Sequence, residues 1–126
     1  RKDLDNTFFR SSLEADFART CRYKLIESLY EHKTFTVAMD GKVRHYTPDF
    51  FLPSNGQYVE LKAGRKDHAF ERNLEVLDYL KSDGINIVVI FMHDFYNSLK
   101  EEGIYDRIPN LEHRDYRGTR HLVGDV

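Results

Sequence analysis

The spacing of apolar positions changes several times along the chain, and the first change predicts a helix. Ser11-Ser12 precede a carboxylate at Glu14 in the order of a capping box, and apolar residues then recur at helical spacing. We therefore expect a helix from Ser11 or Ser12 to about Glu31. The carboxylate at position 14 shares this spacing with Phe17, Ala18, Cys21 and Leu25, so it is predicted to face inward.

The middle of the chain has the composition and the turn residues of β-structure. Runs rich in β-branched, aromatic or alternating residues predict strands at 34–38, 42–46, 49–52 and 57–63. Asp40-Gly41 is typical of a tight hairpin turn within one chain, and Thr47-Pro48 leads into the segment that begins at Asp49. Because 42–46 leads through Thr47-Pro48 directly into 49–52, we expect the four segments to form a meander of three antiparallel strands.

The second half of the chain predicts a crossover unit. Apolar spacing indicates a helix at 65–81, which Gly84 ends as a left-handed cap. The continuous apolar run 85–91 favours a buried strand parallel to 57–63, joined to it by a right-handed crossover. A third helix is expected at 95–102, capped by Gly103. The predicted fold is therefore α/β, a mixed sheet flanked by helices in the order α-β-β-β-α-β-α.

Length and composition fit one domain spanning residues 1–126. Within it we expect an N-terminal arm, 1–10, ordered by docking Phe8 and Phe9, and a C-terminal extension, 104–126, without a clear period. No apolar run approaches the ~20 residues of a membrane span, and no signal peptide is visible. The single cysteine, Cys21, excludes a disulfide framework and predicts a buried thiol in a reducing compartment. Because the chain opens with Arg1, a piece of a longer protein is also expected.

Three ionisable residues carry the candidate chemistry. Glu60 and Lys62 lie two apart on one predicted strand, so both point to one face, and Asp49 begins the neighbouring strand. Acidic groups on the inner side of a sheet are costly to bury unless they bind something. Asp49, Glu60 and the backbone carbonyl of Leu61 offer the hard oxygen ligands that Mg²⁺ prefers. Lys62 is suited to polarise a water molecule or to stabilise charge on phosphate.

This arrangement resembles the signature of the PD-(D/E)XK nuclease superfamily. Pro48-Asp49 is followed, eleven positions after the aspartate, by Glu60-Leu61-Lys62. The aspartate stands in the stretch YTPDF, and Glu14 lies 35 positions upstream in the stretch RSSLE. This combined layout, over about residues 10–91, is similar to the phage endonuclease I group of Holliday-junction resolvases. It is less closely similar to the catalytic subunits of some heteromeric transposases.

The resemblance implies a restriction-endonuclease-like core, Mg²⁺ or Mn²⁺ as cofactor, and hydrolysis of DNA phosphodiester bonds. It implies that Asp49 bridges the metals, that Glu60 binds the metal nearer the attacking water, and that Lys62 orients or activates that water. Glu14 would complete a two-metal site from the first helix. The expected partner is DNA and not a membrane, in a phage-infected or bacterial cytoplasm or at the nucleoid. A homodimer or membership of a larger protein or complex stays open.

The resemblance points less directly to a particular substrate and to the residues that contact DNA. Branched or junction DNA, a sequence-directed homing nick and transposon-end cleavage are the candidate substrates. Basic residues beside the predicted site are candidate DNA contacts: Arg10, Arg44, His45, Arg65, Lys66 and Arg72. The alternative is a non-catalytic DNA-binding or assembly module that retains a nuclease fold.

Each candidate residue also has a structural interpretation. Glu14 fits a capping box that only satisfies backbone N–H groups, and Asp49 after proline fits a turn cap. Glu60 and Lys62 fit an exposed same-face pair on an edge strand, which contributes little to stability.

Overall fold

The computed structural model describes residues 1–64 and 68–114, with the side chains of 68–72 left out, and it has an α/β architecture. The helices are α1 (Ser12–Tyr23), α2 (His68–Ser82) and α3 (Met92–Glu101), preceded by a 3₁₀ turn at Lys2–Leu4. The strands are β1 (Leu29–Tyr30), β2 (Phe35–Met39), β3 (Lys42–Tyr46), β4 (Phe50–Leu52), β5 (Gln57–Lys62) and β6 (Ile87–Phe91). The predicted order α-β-β-β-α-β-α is wrong, because five strands separate the first two helices.

Helix α1 begins where the sequence predicts and ends eight residues early. Ser11 is the N-cap, and its hydroxyl accepts the N–H of Glu14 at 3.1 Å. The helix stops after Tyr23 because Leu25 adopts a left-handed conformation (φ 59°). The N–H groups of Leu25 and Ile26 then bond back to the carbonyls of Arg22 and Cys21, which is a Schellman cap. Glycine usually occupies this position. Because the sequence has leucine there, nothing in it indicated that the helix would end before Glu31.

The hairpin of β2 and β3 is confirmed, and the three-stranded meander is wrong. Asp40 and Gly41 both have positive φ, as the tight turn requires. However, β2 and β3 form a separate two-stranded sheet, while β4 pairs with β1 and β5 in a four-stranded sheet ordered β1-β4-β5-β6. The change of sheet occurs at Thr47-Pro48, where the proline has no N–H for a ladder and is fully buried. The two-residue strand β1 was not predicted.

The crossover unit is confirmed in its parallel strand pairing and in its connecting helix, of which predicted residues 65–67 lie outside the described residues. Strand β6 runs parallel to β5, with Glu60 opposite Val89 and Lys62 opposite Phe91, and α2 connects them. Gly84 has φ 89° after α2, and Gly103 has φ 73° after α3, as helix-ending glycines do. The third helix starts three residues earlier than expected, directly after β6. Strand β6 is mostly half-buried rather than buried on both faces.

Two apolar cores lie on the two faces of the four-stranded sheet. Helices α1 and α3 pack on one face, where Val59 and Leu61 of β5 are buried. The hairpin and α2 pack on the other, against Tyr58 and Ile87. Side chains on either side of β5 therefore alternate between the two cores, as the strand period requires.

Both ends of the described chain contribute to the first core. In the N-terminal arm Phe9 is buried against the ring of Tyr30, whereas Phe8 is 77% exposed, so only one of the two predicted rings docks. In the C-terminal extension three apolar side chains are buried: Tyr105, Ile108 and Leu111. Within the described residues, no helix combines the length and apolar composition that crossing a bilayer requires.

Candidate functional site

The structure brings all four predicted catalytic residues to the wall of one open cavity of about 660 Å³: Glu14, Asp49, Glu60 and Lys62. The cavity lies where the N-terminal turn of α1, the link from β3 to β4 and the end of β5 meet. Each element contributes through its local structure. The capped start of α1 presents Glu14, the proline-marked change of sheet presents Asp49, and the alternation of β5 presents Glu60 and Lys62 on one face.

Asp49 is a carboxylate whose pKa is raised far above its ordinary range. It is half-buried, and its Oδ2 accepts the backbone N–H of Leu61 at 2.7 Å. Desolvation by burial, followed by the nearby negative charge of Glu60, raises its pKa to about 8. The charge of Glu14 acts in the same direction. The Leu61 N–H and the charge of Lys62 act in the opposite direction, and the net result is that protonation of Asp49 is favoured when no metal ion is bound.

Glu60 is buried between a hydroxyl and an ammonium group. Its Oε1 accepts the hydroxyl proton of Tyr46 at 2.8 Å, and its Oε2 lies 3.2 Å from the Nζ of Lys62. Burial raises the pKa of Glu60, while Tyr46 and Lys62 oppose that shift. Both Glu60 and Lys62 are at least 90% buried, so the interpretation as an exposed surface pair is wrong.

Glu14 caps the start of α1 and also faces the cavity. Its backbone N–H donates to Ser11, as in a capping box, but its carboxylate does not return the bond to Ser11. Instead Oε1 accepts the hydroxyl of Tyr30 at 2.7 Å and the N–H of Arg10 at 3.0 Å. The two interpretations of this residue are therefore compatible, since its backbone N–H takes part in the cap at Ser11 while its carboxylate lines the cavity.

The donor set fits a hard divalent cation with a small number of protein ligands. Among the residues the structure describes, no three or more His, Cys, Asp or Glu side chains lie close enough to hold one ion. Asp49 and Glu60, with the carbonyl of Leu61, would hold it, and Mg²⁺ commonly takes one or two carboxylates and several waters. Two carboxylates that oppose each other's ionisation are relieved by a cation between them.

The predicted DNA contacts are engaged within the protein where the structure describes them. Arg10 forms an ion pair of 2.7 Å with Glu31, and its side chain is 70% exposed. Arg44 lies 3.7 Å from Glu75 across to α2. The exposed His45 bonds to Thr36 at 3.1 Å and also lines the cavity. Arg65, Lys66 and the side chain of Arg72 lie outside the described residues.

Sequence reasoning missed the residues that support the carboxylates. Tyr46 and Tyr30 hold Glu60 and Glu14, and in each case burial and the adjacent carboxylate raise the tyrosine pKa, so both stay hydrogen-bond donors. Ser12 and His113 line the same cavity, and the Oγ and Nε2 of this pair lie 2.6 Å apart. Tyrosines at this density usually belong to a core. The sequence offers His113 as a general acid or base or as a surface residue, but its position 53 residues beyond Glu60 does not predict that it reaches this cavity.

Comparison of the chain with protein-family models, with curated proteins and with solved structures found no match.

Proposed function

We propose that this chain is a divalent-metal-dependent DNA endonuclease with a PD-(D/E)XK, restriction-endonuclease-like core. The observation that carries the proposal is the convergence of Asp49, Glu60 and Lys62 in one cavity, with two carboxylates and an amine within mutual electrostatic reach. Three features of the fold favour it further: the antiparallel pair β4 and β5 that presents the motif, the parallel crossover to β6, and the first helix bringing Glu14 to the same cavity.

Each residue of the site has a separate role in the proposed phosphodiester hydrolysis. Mg²⁺ or Mn²⁺, held by Asp49, Glu60 and the carbonyl of Leu61, would supply Lewis-acid activation of water and neutralise charge on the phosphate. Lys62, kept at the buried end of β5 by Glu60, orients the attacking water and stabilises the charge that develops in the transition state. Tyr46 fixes one oxygen of Glu60, which leaves the second oxygen toward Lys62 and the cavity.

Glu14 acts from the other wall of the cavity. It completes the negative cluster, and Tyr30 and the Arg10 N–H set its orientation. In the two-metal form that the sequence resemblance implies, the carboxylate of Glu14 would complete the ligand set and supply further negative charge to hold the cations.

The substrate is proposed to be duplex or branched DNA approaching the open side of the cavity. The exposed guanidinium of Arg10 lies at this rim, and His45 and Thr47 at the base of the hairpin line it too. Junction cleavage, a homing nick and transposon-end cleavage remain the candidate forms of the reaction. The hairpin at Asp40-Gly41 folds back within one chain, which favours a monomeric unit over one that exchanges this segment.

A cleavage panel tests the proposal. Wild-type protein is incubated with supercoiled plasmid, nicked plasmid and four-way-junction DNA, with Mg²⁺, with Mn²⁺ and with EDTA. We expect metal-dependent cutting by the wild type, and none by Asp49→Asn or Lys62→Met, with both variants still binding DNA. The matched control is Asp78→Asn, which changes an exposed aspartate of α2 outside the cavity and is expected to cut normally.

Two results would reject the assignment. Cleavage by Asp49→Asn and Lys62→Met at the wild-type rate would show that the chemistry lies elsewhere. DNA binding without cleavage of any form, together with a melting temperature that Mg²⁺ and Mn²⁺ leave unchanged, would favour a non-catalytic DNA-binding or assembly module.

A further inference from the structure

A hydroxyl and an imidazole form a second polar group in the cavity that the proposed chemistry does not use. Ser12 Oγ and His113 Nε2 are 2.6 Å apart, and both residues line the cavity that holds Asp49, Glu60 and Lys62. Ser12 is the first residue of α1, and His113 comes from the C-terminal extension, 101 positions later in the chain. The pair therefore depends on the tertiary fold and not on local sequence.

A buried carboxylate holds the C-terminal partner in place. Asp16 has no solvent exposure, and its two oxygens accept the backbone N–H groups of Glu112 at 2.9 Å and His113 at 3.2 Å. Arg19 neutralises it at 2.9 Å, and the hydroxyl of Tyr96 donates to it at 2.6 Å. Breaking any of these hydrogen bonds would leave a buried charge without a partner, which is costly. The bonds from Asp16 therefore hold the backbone beside the imidazole in one position.

Two further contacts, with Tyr96 and Tyr105, hold the imidazole of His113 in position. Its ring packs edge-on to the ring of Tyr96, with centroids 5.5 Å apart, and the backbone carbonyl of His113 accepts the hydroxyl of Tyr105. Because the side chain stays partly exposed, a ligand in the cavity can reach it. The position of the ring is therefore set before any ligand arrives.

We propose that Ser12 and His113 form a phosphate-binding subsite of the cavity, which hydrogen-bonds a phosphate oxygen of bound DNA. A serine hydroxyl can accept one hydrogen bond while donating another. In the tautomer that carries the proton on Nε2, the imidazole donates to the hydroxyl, and the hydroxyl proton is then directed to the phosphate; the proposal assigns this tautomer to the bound state. Serine hydroxyls are common phosphate contacts in protein–DNA complexes. In a cavity with three carboxylates, fixed donors also offset repulsion of the phosphate. This inference deepens the proposed function and rests on it.

Nuclear magnetic resonance of the ring protons of the six histidines tests the subsite directly. The probe is thymidine 5′-monophosphate in Mg²⁺ buffer, a phosphate that an endonuclease cannot cut. We expect a saturable shift of the His113 signal, which is assigned by its loss in His113→Gln. The matched pair is Ser12→Ala, which removes the hydroxyl and weakens probe binding about tenfold, and Ser12→Thr, which restores it. The control His32→Asn alters an exposed histidine outside this cavity and leaves binding unchanged.

Cleavage of plasmid by the same variants separates this inference from the proposed function. If the His113 signal does not move with the probe, or if Ser12→Ala binds the probe like wild type, the subsite is rejected whatever the cleavage result. If the signal moves and the hydroxyl dependence holds while wild-type protein cuts no DNA, the phosphate site stands and the nuclease assignment falls. If His113→Gln does not fold, the subsite is accepted or rejected on the probe binding of Ser12→Ala and Ser12→Thr alone.

Discussion

Replacing Asp49 by asparagine should stabilise the metal-free protein, and the gain should grow with pH. The asparagine side chain keeps an oxygen to accept the N–H of Leu61, so the 2.7 Å hydrogen bond is preserved. It removes the ionisation that burial and Glu60 oppose. The difference in stability between wild type and Asp49→Asn therefore measures the free energy that ionisation of Asp49 beside Glu60 costs the folded protein.

The sign follows from proton linkage. The pKa of Asp49 is about 8 in the folded protein against 3.8 for an unperturbed aspartate, so the folded state binds the proton more tightly than the unfolded state. The stability this proton provides is complete below about pH 4 and is lost as pH rises through about 8, by up to ~1.4 kcal/mol per pH unit. Because solvent in the cavity and proton sharing with Glu60 reduce the effect, we expect a total of roughly 3–5 kcal/mol.

Thermal unfolding in EDTA between pH 5 and 9 measures this. The melting temperature of Asp49→Asn should exceed that of wild type by an amount that widens up to about pH 8 and is then constant, about 10 °C at the plateau. Excess Mg²⁺ should raise the melting temperature of wild type more than that of Asp49→Asn. The control Asp78→Asn should run parallel to wild type. Parallel profiles for wild type and Asp49→Asn would refute the reasoning.

Three further changes probe the support of the site and the fold. Tyr46→Phe removes the hydroxyl that holds Glu60, so we expect a loss of about 1.5–3 kcal/mol in the free energy of unfolding by urea titration and slower plasmid cleavage. Unchanged values in both assays would show that the hydroxyl is dispensable. Asp16→Ala leaves Arg19 buried without one of its carboxylates, which should cost about 3–5 kcal/mol in the same titration; a cost below 1 kcal/mol would contradict that view of the network. Leu25→Gly should stabilise by about 0.5–1 kcal/mol, because a 93% exposed side chain leaves a left-handed position, whereas Leu25→Ala should gain nothing. Equal melting temperatures for the two Leu25 variants would argue against backbone strain there.

The parts of the fold that the sequence predicted are those encoded by short-range patterns. The hairpin turn at Asp40-Gly41, the cap at Ser11 and the helix-ending glycines Gly84 and Gly103 each need only neighbouring residues. The parallel pairing of β5 and β6 follows from an apolar run and a crossover helix. These features depend on backbone preferences that the residue types themselves carry.

The parts that were missed depend on contacts distant in sequence. The end of α1 uses a leucine in a conformation that glycine usually adopts, so composition gave no signal at Leu25. Strand β1 has only two residues and exists because β4 pairs with it. The sheet change at Thr47-Pro48 depends on which edge is available to β4, and no local pattern specifies that choice.

The candidate site also has a part that the sequence predicted and a part that it did not. Asp49, Glu60 and Lys62 were found because their spacing matches strand geometry and a known motif, and the structure places them together. Tyr46 and His113 reach the cavity through the hairpin and the C-terminal extension, whose packing could not be read from spacing. The hydroxyl groups that hold the carboxylates of Glu60 and Glu14, those of Tyr46 and Tyr30, were therefore not predicted from the sequence.

The hairpin is joined to the rest of the domain by side chains rather than by a shared ladder of backbone bonds. Its inner residues, Phe35, Val37 and Tyr46, pack in the second core, while within the described part of the chain its strands pair only with each other. Such a segment is a candidate unit of local unfolding, with an opening free energy below that of the whole domain. Each opening event would carry Tyr46 away from Glu60, so fluctuations of a peripheral ribbon would alter how water and ions reach the carboxylates. Amide hydrogen exchange across 35–46 would then report on the accessibility of the cavity as well as on the hairpin itself.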